Sequence, residues 1–135
     1  MYPSSTTYRL ARPGGEYNRL YALAKRAGYR PRIGDFQFPT VVAERAGKVI
    51  GFVATQPGQE AVVAGPLVID GGPNPFVFLR LADAYENVLR QAGVKVFLHT
   101  IDKERPEHVK MMERLGFTRW SETENDVVMH RKLGD

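Results

Sequence analysis

Between Leu67 and Phe117 the order and spacing of apolar, turn and capping residues leave few architectures open to this chain. An apolar run closes in Leu67-Val68-Ile69, and a Gly/Pro/Asn loop separates it from Asn74-Pro75. That dipeptide reads as a helix start, because asparagine accepts from the free amides of a first turn and proline at the first helical position gives up no hydrogen bond. Phe78, Leu81, Ala82, Tyr85, Val88, Leu89 and Ala92 then follow at three- and four-residue steps, opposite Arg80, Asp83, Glu86, Asn87 and Arg90. One face is therefore apolar and the other polar. Gly93 ends the helix, residues 94–101 read as a strand, and residues 106–115 as a short helix closed by Gly116-Phe117.

The remainder extends this pattern on both sides. Residues 7–11 read as a first strand, broken by Pro13-Gly14-Gly15, and Tyr17, Leu20, Tyr21, Ala24 and Ala27 fall at helical spacing before Gly28. Residues 29–40 carry two prolines, a glycine and the aromatics Tyr29, Phe36 and Phe38, which predicts an irregular loop with apolar anchors. Val41-Val42-Ala43-Glu44 and residues 49–54 form a hairpin about a turn at residues 45–48, with Gly51 suggesting a bulge. Residues 61–69 are almost continuously apolar, as expected of a strand buried on both faces, and Pro66 leaves one side of it incompletely paired. Residues 117–122 and 126–132 predict a closing hairpin. One strand, a helix, three antiparallel strands, a helix, a strand, a helix and a last strand pair predict an α/β fold: a mixed, mostly antiparallel sheet, opened in the middle and flanked by three to four helices.

At 135 residues the chain suits a single domain, residues 1–135, long enough to bury one core unaided. With no cysteine it has neither disulfides nor thiolate chemistry nor sulfur-bound zinc. Residues 61–69 are far too short to span a bilayer. Residues 1–5 lack the basic and apolar regions of a secretory leader, so the expected compartment is the cytoplasm. The +4 charge is scattered among acidic residues, which suits a small anionic cofactor and does not point to nucleic acid or a membrane.

This order of elements, with its spacing from the strand end at Leu67-Val68-Ile69 to the Leu115-Gly116-Phe117 helix stop, resembles the GCN5-related N-acetyltransferases (the GNAT superfamily). In that family a strand ending in Leu-x-Val leads after four residues into Arg/Gln-Gly-x-Gly-Ile-Gly, whose backbone holds the pyrophosphate of acetyl-CoA at a helix N-terminus. The six loop positions fall here on Asn74-Pro75-Phe76-Val77-Phe78-Leu79, without the glycines and without the leading Arg/Gln. The resemblance implies a cofactor site at Leu67, Val68, Ile69, Asn74, Phe76, Val77, Phe78 and Leu79, with the amides of residues 76–79 facing the anion. The rival reading is that Asn74-Pro75 merely caps a packed helix. The family's tyrosine, which protonates the departing thiolate, is replaced by Met112, able to pack against pantetheine but not to give up a proton.

Transfer to an amine also needs a route for the amine's proton. His99 is the favoured base, as an imidazole near its solution pKa, with Glu44 and Asp70 as further candidates. The plain alternatives are a histidine making one backbone bond and a solvated hairpin glutamate. Tyr29, Phe36 and Phe38 lie in a segment that borders the acceptor in related folds, and apolar anchoring explains them equally well. His108 and His130 have no second ligand at helical or strand spacing, so no metal is expected. The resemblance thus implies an N-acetyltransferase that moves acetyl from acetyl-CoA to a small-molecule or peptide amine by direct attack, and it is compatible with a homodimer. The alternatives are an inactive GNAT-fold binding or structural module and a GNAT-fold enzyme modifying nucleic acid.

Overall fold

The computed structural model describes residues 5–58, 60–72 and 74–134. Residues 1–4, on which the expectation of no secretory leader partly rests, lie outside the described residues. The elements are β1 (Thr6–Leu10), α1 (Glu16–Arg26), β2 (Gln37–Arg45), β3 (Lys48–Thr55), β4 (Val63–Ile69), α2 (Pro75–Gln91), β5 (Val96–Asp102), α3 (Pro106–Arg114), β6 (Thr118–Glu122) and β7 (Asp126–Lys132). The strands form one seven-stranded sheet in the order β1-β2-β3-β4-β5-β7-β6. Every neighbouring pair is antiparallel except β4 and β5, which run parallel.

Alternation along the strands sends side chains to two separate cores. On one face α1 inserts Leu20, Leu23 and Ala24 against Val42, Phe52, Ala54 and Val68. On the other, Val77, Phe78, Leu81, Tyr85 and Leu89 of α2 meet Val41, Val53, Leu67 and Phe97, with Val109 and Met112 of α3 beside Ile101 and Met129. Each of the larger side chains so buried contributes roughly 1.5–3 kcal/mol of transfer free energy, so α2 is held by its stripe rather than by helix propensity.

Gly51 has a packing reason. A Cβ there would stand 2.9 Å from the Val68 carbonyl oxygen and 3.4 Å from Leu81 Cδ1, so glycine lets α2 and β4 close on β3. The ladder runs from Ala43↔Gly51 to Glu44↔Val49, which makes its neighbour Ile50 the extra residue of the bulge.

Three sequence expectations are corrected. Residues 37–40 belong to β2 rather than to the preceding loop, because the hydroxyl of Thr55 on β3 donates to the Pro39 carbonyl and Gln37 pairs with Thr55. Strand β5 starts at Val96, since the Val94 amide still donates to Leu89 O at the end of α2. Glu86, expected on the solvated face of α2, is only 5% exposed. Arg131 of β7 meets its carboxylate through Nε and Nη2 at 3.0 and 3.2 Å, and Arg90 approaches at 3.5 Å. Periodicity alone cannot anticipate a partner from a distant strand.

Candidate functional site: the parting of β4 and β5

The parallel pair is very short. Val63 pairs with Leu98 and Ala64 with His99, and beyond them no pairing continues. The residue after this pairing is Gly65, with φ of +129°, where a Cβ would lie 2.9 Å from Thr100 Oγ1 and 3.2 Å from its carbonyl oxygen. Next comes Pro66, which has no amide to donate. Glycine permits the last close approach and proline ends the ladder, so the middle of the sheet opens as Pro66 had predicted. Across the opening the Gln56 side chain donates to Thr100 Oγ1 at 2.6 Å, while the Gln56 amide donates to Val63 O at 2.8 Å.

Leu67, Phe78, His99, Thr100, Ile101, Asp102, His108 and Met112 surround a cavity of about 10 Å³ inside this opening, with Tyr29 closing one side. That is barely room for a water molecule. Two larger open clefts adjoin it. Tyr29, Arg30, Phe36, Gln56 and Pro66 are among the walls of one, of about 370 Å³. The other, of about 410 Å³, is bounded by Tyr29, Arg30, Gln56, Thr100, Asp102 and Asp126 among others.

His99 is 4% exposed and turns toward the small cavity, and no hydrogen bond to its imidazole is found among the described residues. Burial, reinforced by nearby His108, pushes its pKa down to about 3. This corrects the reason for favouring it as a base: its conjugate acid is too strong to form at neutral pH, so His99 is a neutral imidazole able to hydrogen-bond. His108 packs at a tilt against Phe78 with centroids 5.0 Å apart, and burial lowers its pKa also. Burial raises the pKa of the Tyr29 phenol, with Arg105 acting against the shift. Asp102 and Asp126 face each other across β5 and β7, and burial together with the Asp102 charge raises the pKa of Asp126.

The residues expected to hold the cofactor separate into three groups. Leu67, Phe78 and Met112 meet in the parting with His99, whereas Val68 faces α1 and Ile69 packs toward α2. Asn74, Phe76, Val77 and Leu79 stand at the start of α2. There Asn74 Oδ1 accepts from the Val77 amide at 3.3 Å and its carbonyl accepts from Phe78 at 2.9 Å. Two amides expected to face an anion are thus satisfied by the chain itself. Val77 and Phe78 are buried, while Phe76 is 80% exposed.

Glu44 is not brought to the opening. It lies toward the far end of β2, where it pairs with Val49, whereas Gln37 at the other end pairs with Thr55 beside the parting. Its carboxylate meets Arg9 at 2.7 Å, and Arg9 also binds Glu16 at 2.8 Å, so Glu44 is a structural ion-pair partner. Asp70 likewise anchors α1, through Arg19 and Arg26 at 3.2 and 3.1 Å. Reading the sequence missed Gln56, Thr100, Asp102 and Asp126 as lining residues. No local pattern marks them; only the pairing of β5 with β7 and the β4 bend brings them together. Among the described residues no group of three or more His, Asp or Glu is placed to hold a metal, and no helix is long and apolar enough to cross a membrane.

A parallel central pair that parts after two residues, with helices crossing both faces of a mostly antiparallel sheet, is the GNAT fold, and this chain has it. The fold is shared with the ribosomal-protein-S18-alanine N-acetyltransferase from Escherichia coli (TM-score 0.77, 14% identity, 97% of this chain and 96% of that one). Naa50 from Arabidopsis thaliana, solved with the bisubstrate analogue CoA-Ac-MVNAL, superposes at a TM-score of 0.78 with 13% identity, covering 95% and 99% of the two chains. A GNAT-family acetyltransferase from Streptococcus pneumoniae gives 0.73 and 17%, covering 96% and 100%. No protein-family model matches the chain, and no curated protein matches its sequence.

Proposed function

We propose that the chain is a single-domain N-acetyltransferase that carries an acetyl group from acetyl-CoA to an amine, with the thioester held between β4 and β5. The observation carrying this reading is the parting itself: a strand pair that opens at Gly65-Pro66 onto a small cavity lined by the buried His99 imidazole. Naa50, bound to an analogue that joins CoA to a peptide, supports a peptide or small amine as acceptor. Acetyl-CoA would supply the activated acyl group.

Leu67, Phe78 and Met112 offer apolar walls to its pantetheine arm, and neutral His99 offers a hydrogen bond inside the parting. The acceptor enters from the clefts beside Tyr29, Arg30 and Gln56. In direct attack the amine nitrogen bonds the acetyl carbon, the carbon–sulfur bond breaks and CoA leaves as the thiolate to be protonated by solvent, while Asp102 and Asp126 line the acceptor side as acceptors for the amine's proton. At the start of α2 a pyrophosphate competes with Asn74 Oδ1 for the Val77 amide, in the field of the helix dipole. The reading accords with the cytoplasmic compartment expected from the sequence.

Calorimetric titration with acetyl-CoA and CoA, followed by an amine screen for acetylation, tests this. Saturable binding is the expected outcome. The cap at Asn74 favours a second reading, a GNAT-fold binding module without cofactor, and absence of binding at millimolar acetyl-CoA would establish it in place of the first.

A further inference from the structure

Among the described residues, Tyr29 is the one common to the walls of all three cavities around the parting. On one side of it lies the 10 Å³ space closed by Leu67, Phe78, His99 and Met112. On the other lie the open clefts of about 370 and 410 Å³. Resting on the acetyltransferase reading, we propose that Tyr29 sets the length of the acyl group this site accepts and holds it to acetyl.

The side chain is braced rather than free. Its backbone amide donates to Ala24 O at 3.0 Å at the end of α1. The Arg105 guanidinium lies 5.4 Å from the ring centroid, and Arg105 Nη2 donates to Ala27 O at 2.6 Å, which fixes the cation over the ring. Tyr29 lines both the small space and the open cleft, so an acyl chain that outgrows the parting meets this ring before it reaches the space by Phe36 and Pro66. Bulk is what the argument requires of Tyr29, not its hydroxyl.

The test compares acetyl-CoA with hexanoyl-CoA as donors for wild type, Tyr29→Ala and Tyr29→Phe, reading the ratio of their kcat/KM values. Tyr29→Ala should move that ratio toward hexanoyl-CoA by about tenfold or more, the scale on which apolar pockets discriminate methylenes. Tyr29→Phe should keep the wild-type ratio. A general loss of stability lowers both donors together and leaves the ratio where it was. An unchanged ratio in an active Tyr29→Ala, or the same shift in Tyr29→Phe, overturns the proposal while leaving the acetyltransferase reading intact. Calorimetry on wild type separates the two: no acyl-CoA binding overturns both. Should Tyr29→Ala fail to fold, Tyr29→Leu, which keeps apolar packing against α1 and shortens the side chain, is read by the same ratio.

Discussion

His99 shows how far burial can change the meaning of a residue. Its pKa of about 3 in the folded protein lies below the ordinary 6.5, so protonation favours unfolding. The stability it allows is complete above pH 6.5 and is lost as pH falls from there toward 3, by up to about 1.4 kcal/mol per pH unit. His108 contributes in the same direction. Urea midpoints at pH 7 and pH 4.5 should therefore differ more in wild type than in His99→Leu; equal differences would contradict the buried, neutral imidazole. Glu44 carries the opposite expectation. Glu44→Gln should leave acetyl transfer within about twofold and cost roughly 1 kcal/mol in denaturation, as befits a partly exposed ion pair with Arg9. A large loss of turnover would return Glu44 to the site. The sequence put His99 forward as the base because it sits in the strand after the long helix, and the structure brings its side chain to the opening. It could not disclose the protonation state, which depends on Phe117 and His108 arriving from elsewhere in the chain.

Among the elements, α2 was the most legible and the most instructive in its departures. Its cap, its start at Pro75 and its apolar stripe all follow from local rules, and the structure has each of them. What local rules missed was Glu86, turned inward to Arg131, and Tyr29, whose ring is placed by the end of α1 and by Arg105 on α3's entry. Asn74 has two consequences that can be separated. Asn74→Ala should destabilise the protein by about 1 kcal/mol through loss of the cap. It should also leave CoA affinity equal or higher, because the Val77 amide is released to an incoming phosphate. Thermal melting reads the first effect and calorimetry the second. Weaker CoA binding at unchanged stability would show that the asparagine itself contacts the cofactor.

At the scale of the whole molecule, the strand ladder joining the two halves of the sheet is short, with Val63 paired to Leu98 and Ala64 to His99. Glu86 on α2, a helix whose stripe covers β2 and β3, reaches β7 in the other half through Arg131. Glu86→Ala should accordingly cost about 3 kcal/mol, since it leaves a partly buried guanidinium unpaired. Denaturant unfolding should show an earlier midpoint, and a variant as stable as wild type would assign the tie to apolar packing alone. The succession of strands and helices along the chain was readable from the sequence; the parting was foreshadowed by Pro66, and its depth was not, because depth depends on which side chains from α1, α2 and α3 fill it.

The seam between β4 and β5 has one more consequence. The strands on its two sides are also the first and second halves of the chain, with no strand exchanged across it. Cutting at the Gly71-Gly72 turn would yield two pieces, one bringing β1 to β4 with α1, the other bringing α2 as a clasp that lies over its partner's strands. Such pieces are built to recognise each other, so the chain should serve as a split reporter whose signal appears when its fragments meet.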